Sequence, residues 1–364
     1  MSITDVDRLY MRAAVALAER GLYTVTRNNP RVGCLLVKNG KVIGRGWHAK
    51  DGEAHAEVAA LRSLQDGVSP KGSTAYVTLE PCCWEGRTAA CTEQLINAKL
   101  NRVVVGKEDP HPKVQGRGIQ VLKEAGIPTE VLCLPELESL NPGQVSRVQS
   151  NRPWIRIKSA ISMDGRTGMA SGESQWITGP EARRDVQVWR ARSGAILTGI
   201  GTVLADDPQL TVRDERFTES RPIRVICDSN ARLPLDAKIL EDVASLHIAT
   251  KKGIQPTIEA SHISWSHCGG SDVDLLALMS ELAIKGVNEL LVEAGPKLTG
   301  RLFQQELWDE WLVYIAPKLL GSTASPVGEL ALERLAQSRN GRVVSVDQIG
   351  EDLRVLIRKS DGHT

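Results

Sequence analysis

Short apolar runs alternate with amphipathic helical patterns twice along this chain. The two series are separated by a stretch at 135–153 where Pro135, Asn141-Pro142-Gly143 and Asn151-Arg152-Pro153 interrupt any periodicity. Alternation of this kind predicts layered α/β folds, and 364 residues are too many for one ordinary core. Two domains are expected, over 1–147 and 148–364, with the seam in the interrupted stretch.

In the first series, Thr4 and Asp7 are placed to cap a helix whose Met11, Ala14, Leu17 and Ala18 share one face. Runs at 33–38 and 41–47 flank Asn39-Gly40, a dipeptide suited to a type I′ hairpin turn. A helix over 54–65, a strand over 74–79, a helix after Cys91 and a strand over 102–105 complete the pattern. The second series reads as strand 154–160, helix 180–192, strands 195–198 and 223–227, helix 272–285 and strand 290–293, a layout for a largely parallel sheet.

Composition narrows the classes. Hydrophobic residues at 41% and charged residues at 24% match a soluble globular protein. A net charge of +1 supplies no global field to gather nucleic acid or a membrane surface. Residues 1–10 hold charges and no apolar run, and no window approaches a membrane span, so a cytoplasmic protein is expected. Seven cysteines in a reducing compartment then read as metal ligands or packing residues. Cys34, Cys133, Cys227 and Cys268 are expected to pack.

One cluster carries chemistry. His55-Ala56-Glu57 opens a predicted helix, Cys82 follows a strand end at Leu79-Glu80-Pro81, and Cys91 opens the next helix. One imidazole and two thiolates make a three-ligand zinc site whose fourth position is left for water, with a pKa brought to about 7. Helix starts favour the thiolate form. Glu57 would act as a proton shuttle rather than a ligand. The H-x-E and Pro-Cys elements of nucleobase deaminases are both present, but position 85, where the short cysteine spacing would put the next ligand, is Glu. Cys83 competes with Cys82 for the ligand position, and the Glu-Pro-Cys context favours Cys82.

The second half offers turns and arginines. Val292 to Gly300 forms a strand, glycine turn and helix start able to present backbone N–H groups to phosphate, and Gly199-Ile200-Gly201-Thr202 is a similar turn. Either could be plain loop geometry. Arg183, Arg184, Arg190 and Arg192 on one helix and Arg213 beyond it read as a solvated face or as phosphate anchors.

These residues resemble the bifunctional riboflavin-biosynthesis deaminase-reductase family. The resemblance rests on Asn29-Pro30-Arg31-Val32-Gly33, Gly46-Trp47-His48, His55-Ala56-Glu57-Val58, Thr78-Leu79-Glu80-Pro81-Cys82, Gly86-Arg87-Thr88, Cys91 and Gly116-Arg117-Gly118. It continues through Ser162 to Arg166, Ser171 to Thr178, Leu204 to Pro208, Val292 to Pro296 and Ala316 to Gly321, covering nearly the whole chain. It implies an N-terminal cytidine-deaminase-like three-layer α/β/α domain and a C-terminal dihydrofolate-reductase-like α/β domain.

The implied reactions are two. A zinc-activated water deaminates 2,5-diamino-6-ribosylamino-4(3H)-pyrimidinone 5′-phosphate. NADPH then reduces the ribosyl side chain of 5-amino-6-(5-phosphoribosylamino)uracil to ribityl. The match carries zinc to His55, Cys82 and Cys91, proton transfer to Glu57, and pyrimidine contact to Asn29, His48 and Asp109. Read without it, those last three are a turn-forming Asn, a surface imidazole and a loop acid. Ser174, Arg190, Leu210, Arg213 and Glu293 would hold the second substrate. Ala160, Trp176, Thr202, Asp206, Ser229 and the turn Gly295, Pro296, Lys297, Leu298, Thr299, Gly300, Arg301 would hold the dinucleotide. Lys158 and Asp164 are candidates for polarising the sugar, with structural roles as the alternative.

The chain departs from the family pattern at Cys83-Trp84, Ala89-Ala90 and His111. A homo-oligomer with small-molecule substrates is expected, without nucleic acid or membrane partners. The rival readings are a tRNA or polynucleotide deaminase with an unrelated C-terminal domain, which 4% aromatic content disfavours, and a non-catalytic zinc-stabilised binding protein.

Overall fold

The computed structural model describes residues 3–84, 89–112 and 114–360. Thr4 and Asp7 form a reciprocal capping box that starts α1 (Asp5–Ala18). Asp7 Oδ1 also accepts from Tyr76 Oη and from Arg102 Nη1, each at 2.7 Å, which fastens the helix start to the sheet. There follow β1 (Gly33–Lys38), β2 (Lys41–Trp47), α2 (Ala56–Arg62), β3 (Thr74–Val77), α3 (Cys91–Asn97), β4 (Arg102–Val105), α4 (Arg117–Glu124), β5 (Thr129–Val131), α5 (Pro135–Leu140) and α6 (Pro142–Ser150).

The sheet order is β2-β1-β3-β4-β5, with β1 antiparallel to β2 and β3 and the rest parallel. Asn39 and Gly40 both take positive φ, as the hairpin turn requires. Alternate strand residues feed opposite layers. Leu35 and Tyr76 pack with Met11, Ala14 and Leu137 on one face, and Leu36 and Val77 pack with Ala60, Leu95 and Ile119 on the other.

The second unit contains β6 (Trp154–Ser162), β7 (Arg166–Gly168), α7 (Pro180–Ala191), β8 (Ala195–Gly199), α8 (Ile200–Asp206), β9 (Ile223–Cys227), β10 (Leu246–Thr250), β11 (Ile263–His267), α9 (Leu275–Ile284), β12 (Glu289–Glu293) and α10 (Pro296–Gln304). It ends with β13 (Glu310–Ala316), β14 (Ser325–Pro326), β15 (Gly341–Ile349) and β16 (Asp352–Lys359). Nine strands run in the order β11-β10-β9-β8-β12-β6-β13-β16-β15. The seven from β11 to β13 are mutually parallel, and β16 and β15 continue antiparallel. Both faces carry helices, with Leu278, Leu282, Leu302 and Phe303 on one and Val186, Trp189 and Val203 on the other, so the central strands β8, β9 and β12 are mostly apolar.

The interrupted stretch differs from expectation. Pro135 and Pro142 each sit in a first helical turn, where the missing N–H has no partner to lose, so they start α5 and α6 instead of breaking the chain. Contacts divide the chain after Asn151, and the boundary expected at 147/148 falls inside α6. Cys133 is exposed and packs nothing, unlike Cys34, Cys227 and Cys268. The strands β5, β7, β10, β11, β13, β14, β15 and β16 have no counterpart among the runs expected from the sequence.

Candidate active sites

In the first unit a cluster forms where α2, α3 and the end of β3 converge. Gly46 makes it possible: a Cβ there would lie 2.2 Å from both Ala56 O and Ala60 N, so only glycine lets α2 rest directly on β2. His55 is the N-cap of α2, and Cys91 is the first residue of α3. Their ligand atoms and Cys82 Sγ all lie within 4.8 Å of one another, with His55 Nδ1 3.2 Å from Cys91 Sγ and 3.6 Å from Cys82 Sγ. Zinc bonds of about 2.0 Å to nitrogen and 2.3 Å to sulfur imply an N···S edge of about 3.5 Å in a tetrahedron, so the donor set and its spacing fit zinc. Of the two adjacent thiols, Cys82 joins the cluster, and burial pushes the Cys83 thiol up.

The three donors perturb one another. A hydrogen bond from the Cys91 thiol, and then the His55 imidazole, pull the Cys82 thiol down, while Cys91 is pushed up. The Cys91 N–H also points at Cys82 Sγ, 3.3 Å away. Glu57, 3% exposed, is raised to about 7 by burial first and the Cys82 charge second.

Glu80 organises the neighbouring strand end, a role its motif position did not reveal. Its carboxylate accepts from the N–H groups of Asp109 (3.2 Å), Gly116 (2.9 Å), Gly118 (2.8 Å) and Ile119 (3.2 Å). It thereby caps α4 and holds the Asp109 loop beside Pro81-Cys82. Gly118 meets Pro81 O so closely that a Cβ would lie 2.1 Å away.

The expected pyrimidine contacts gather around the cluster. His48, 2% exposed, must donate from Nδ1 to Ala54 O (3.1 Å), which leaves Nε2 to accept from Asn29 Nδ2 at 3.1 Å. Asn29 Nδ2 also reaches Asp51 Oδ1 at 2.9 Å, which fixes its amide as donor. Burial lowers the His48 pKa and raises that of Asp109. The His48 and His55 rings meet edge-on at 5.6 Å. Trp84 and His111, two of the departures, meet edge-on at 5.7 Å. Glu85 and Gly86-Arg87-Thr88 lie outside the described residues.

In the second unit the expected residues line the carboxyl ends of β6, β8, β9 and β12, where ligands of open parallel sheets bind. The Gly295 N–H donates to Thr202 Oγ1 at 3.1 Å, which joins the α10 turn to α8. A Cβ at Gly295 would meet only that hydroxyl, at 3.6 Å, and one at Gly201 would meet nothing within 4 Å. Open backbone ahead of a helix N-terminus fits a dinucleotide diphosphate.

The polar groups are largely engaged with one another. Arg190 is bidentate to Glu293 (2.6 and 3.0 Å) and gives its third group to Thr211 O at 3.0 Å. Ser174 Oγ donates to Asp206 Oδ1 at 2.9 Å. Lys158 lies among Glu293, Arg190 and Asp206, and burial lowers its pKa. Ser229, Asp272 and Arg301 are likewise joined.

The helix arginines separate. Arg192 pairs with Glu289, Arg184 with Glu181, and Arg183 stacks on Trp176 at 4.5 Å, which leaves Arg190 at the crevice. The Arg213 guanidinium has no hydrogen-bonded partner among the described residues, its backbone N–H alone going to Gln187 Oε1. Leu210, 3% exposed, sends its side chain into the core, so only its backbone is available to a ligand. Asp164 accepts from Ser162 Oγ, Leu320 N and Gly321 N, which makes it a loop clamp.

Comparison with known proteins fits both sites. The profile of the cytidine and deoxycytidylate deaminase zinc-binding region matches residues 4–107, and that of the RibD C-terminal domain matches residues 153–355. The riboflavin biosynthesis protein RibD of Escherichia coli (strain K12) is 45% identical over 95% of this chain and 98% of its own length. The chain belongs to the RibD family. The solved structure of Acinetobacter baumannii RibD, form 1, aligns with a TM-score of 0.90 at 40% identity, covering 98% of this chain and 99% of that one. A Thermotoga maritima structure described as a diaminohydroxyphosphoribosylaminopyrimidine deaminase/5-amino-6-(5-phosphoribosylamino)uracil reductase aligns at 0.87 and 29% identity, with the same coverages.

The chain is accordingly a deaminase and a reductase of riboflavin biosynthesis, with zinc and NADPH as cofactors. Its fold pairs a cytidine-deaminase-like unit with a dihydrofolate-reductase-like one. Both halves match one family, so the reading as a polynucleotide deaminase with an unrelated appendage is not favoured. Among the described residues no helix is long and apolar enough to cross a membrane.

Proposed function

We propose that the first unit deaminates 2,5-diamino-6-ribosylamino-4(3H)-pyrimidinone 5′-phosphate at its 2-position, with His55, Cys82 and Cys91 as the zinc ligands. Bound zinc supplies a Lewis acid that makes water nucleophilic near neutral pH. Glu57 takes the proton from the attacking water and delivers it to the departing amine, so that ammonia leaves. A carboxyl buried beside the three donors is placed to serve both directions of that transfer. His48, held as a neutral imidazole, and Asn29 orient the pyrimidine edge, and Asp109 faces it from the Glu80-held loop.

The second unit reduces the ribosyl chain of 5-amino-6-(5-phosphoribosylamino)uracil. NADPH supplies the hydride, and the chain's residues position the partners. Arg213 anchors the substrate phosphate, supported by its unengaged guanidinium beside Arg190. Glu293 and Arg190 form the crevice wall with Ser174 and the Leu210 backbone. Lys158 is the group that can polarise the sugar, because Asp164 is engaged in clamping the loop at Leu320-Gly321. Ala160, Trp176, Thr202, Asp206, Ser229 and residues 295–301 hold the dinucleotide.

The protein is read as a cytoplasmic homo-oligomer. The edge strand β15 supports self-association, because Val343, Val344 and Val346 are 59, 42 and 58% exposed on it.

The observation that carries the deaminase reading is the three-donor cluster with a buried carboxyl beside it. Metal analysis and Glu57→Gln test it. The variant is expected to keep zinc, to lose ammonia release by about 10²- to 10⁴-fold, and to oxidise NADPH normally on the aminouracil phosphate. Retained deamination removes Glu57 from the mechanism.

A further inference from the structure

Three side chains form a closed polar cluster at the end of β9. Ser229 Oγ donates to Asp272 Oδ1. Arg301 Nη1 donates to Asp272 Oδ2 at 2.6 Å, and Arg301 Nη2 to Val273 O at 2.7 Å. The Asp272 side chain is about half exposed and that of Arg301 30% exposed, so a ligand can reach both.

The cluster lies within one nucleotide's reach of the glycine turn. Arg301 sits in α10 five residues past its first residue, a rise of about 7.5 Å, and Ser229 follows β9, two inter-strand steps of about 4.8 Å from β12. A dinucleotide with its diphosphate at the start of α10 would carry its adenosine ribose toward this place.

Guanidinium plus hydroxyl is a donor pair for a phosphate monoester, whereas a carboxylate at a ribose accepts from a free 2′-hydroxyl. Here both occupy one spot. We propose that Asp272 sets the balance between NADPH and NADH: it engages the donors of Ser229 and Arg301 in the ligand-free protein, and the 2′-phosphate displaces it. Arg301 keeps its position when Asp272 leaves, because Val273 O still holds its other nitrogen. With NADH there is no phosphate to compete, and Asp272 stays paired and accepts from the 2′-hydroxyl. The inference rests on the dinucleotide placement given above.

Titration of the full-length protein with NADPH, NADH and adenosine 2′,5′-bisphosphate, read by calorimetry or nicotinamide fluorescence, tests it. Asp272→Asn, with Asp272→Ser as a second substitution, is expected to tighten NADPH and the bisphosphate about tenfold, and Asp272→Ser, which removes the acceptor of the 2′-hydroxyl, to weaken NADH at least about threefold. Arg301→Gln is expected to weaken NADPH and the bisphosphate at least tenfold and leave NADH in place. An unchanged NADPH-to-NADH affinity ratio in both Asp272 variants overturns the proposal. If Arg301→Gln still weakens NADPH in that case, the dinucleotide placement stands without it. If Arg301→Gln also leaves NADPH binding at the wild-type level, the placement falls as well.

Discussion

The deaminase cluster and the reductase crevice solve opposite problems. In the first unit three donors, at the starts of α2 and α3 and just past β3, converge within 4.8 Å, because Gly46 lets α2 rest on β2, Gly118 lets α4 approach Pro81, and Glu80 ties four N–H groups. The reductase residues come from β6, α7, the loop after α8, β12 and α10, and most have bonded to one another. A metal site of this kind stays visible as one imidazole and two sulfurs whose polar contacts are largely with one another. Charged groups that bind anions find counter-charges within the fold, and ligand binding there is an exchange of partners.

The contrast predicts an all-or-none response in the first unit. Cys91→Ala is expected to remove bound zinc and lower ammonia release by at least about 10³-fold, with NADPH oxidation on the aminouracil phosphate untouched. A fall in both activities together would mean that the two units do not act independently.

A smaller effect is expected one step back from the metal. Glu80→Gln can satisfy at most part of what the carboxylate accepts, and zinc affinity should fall about 10- to 100-fold, measured by competition with a chelator. Zinc affinity equal to wild type would make Glu80 a cap of α4 and nothing more.

In the reductase unit, Arg213→Ala is expected to raise KM for the phosphorylated substrate about tenfold and to leave kcat nearly unchanged, because its guanidinium engages no protein group first. A fall in kcat with KM constant would place Arg213 in the chemistry instead of at the phosphate.

The smallest effect concerns stability. His247, 1% exposed, bonds Ser264 Oγ and Ser266 Oγ, and burial lowers its pKa to about 4, with Lys285 adding to the shift. Glu281 stands 3.6 Å away and would favour the charged form, but it is 38% exposed and water screens it, so burial wins. The folded imidazole is therefore neutral where the unfolded one is charged. Its contribution is full above pH 6.5 and is lost as pH falls from 6.5 toward 4, about 1 kcal/mol by pH 5.5. His247→Gln is expected to flatten that limb of the stability profile in urea unfolding, and an unchanged slope would assign the acid sensitivity elsewhere.

Legibility followed the same division. The Asn39-Gly40 hairpin, the cap at Thr4 and the three-donor cluster could be read because each depends on residues close in sequence or on a spacing tied to a strand end and a helix start. The helices α5 and α6 were misread because a proline that begins a helix has the same composition as one that ends it. The last strands could not be read, since β15 alternates little and is exposed along much of its length.

What the amino-acid order determined alone is local: the α/β alternation, the turn and cap chemistry, and the donor types of the metal site. Which of Cys82 and Cys83 faces the cluster, why Arg190 is spoken for while Arg213 is not, and that Asp272 meets Ser229 and Arg301 were decided by tertiary structure. Those pairings join residues 29 to 103 positions apart, and no spacing rule encodes them; only the packing of helices onto sheets brings such groups within hydrogen-bonding distance.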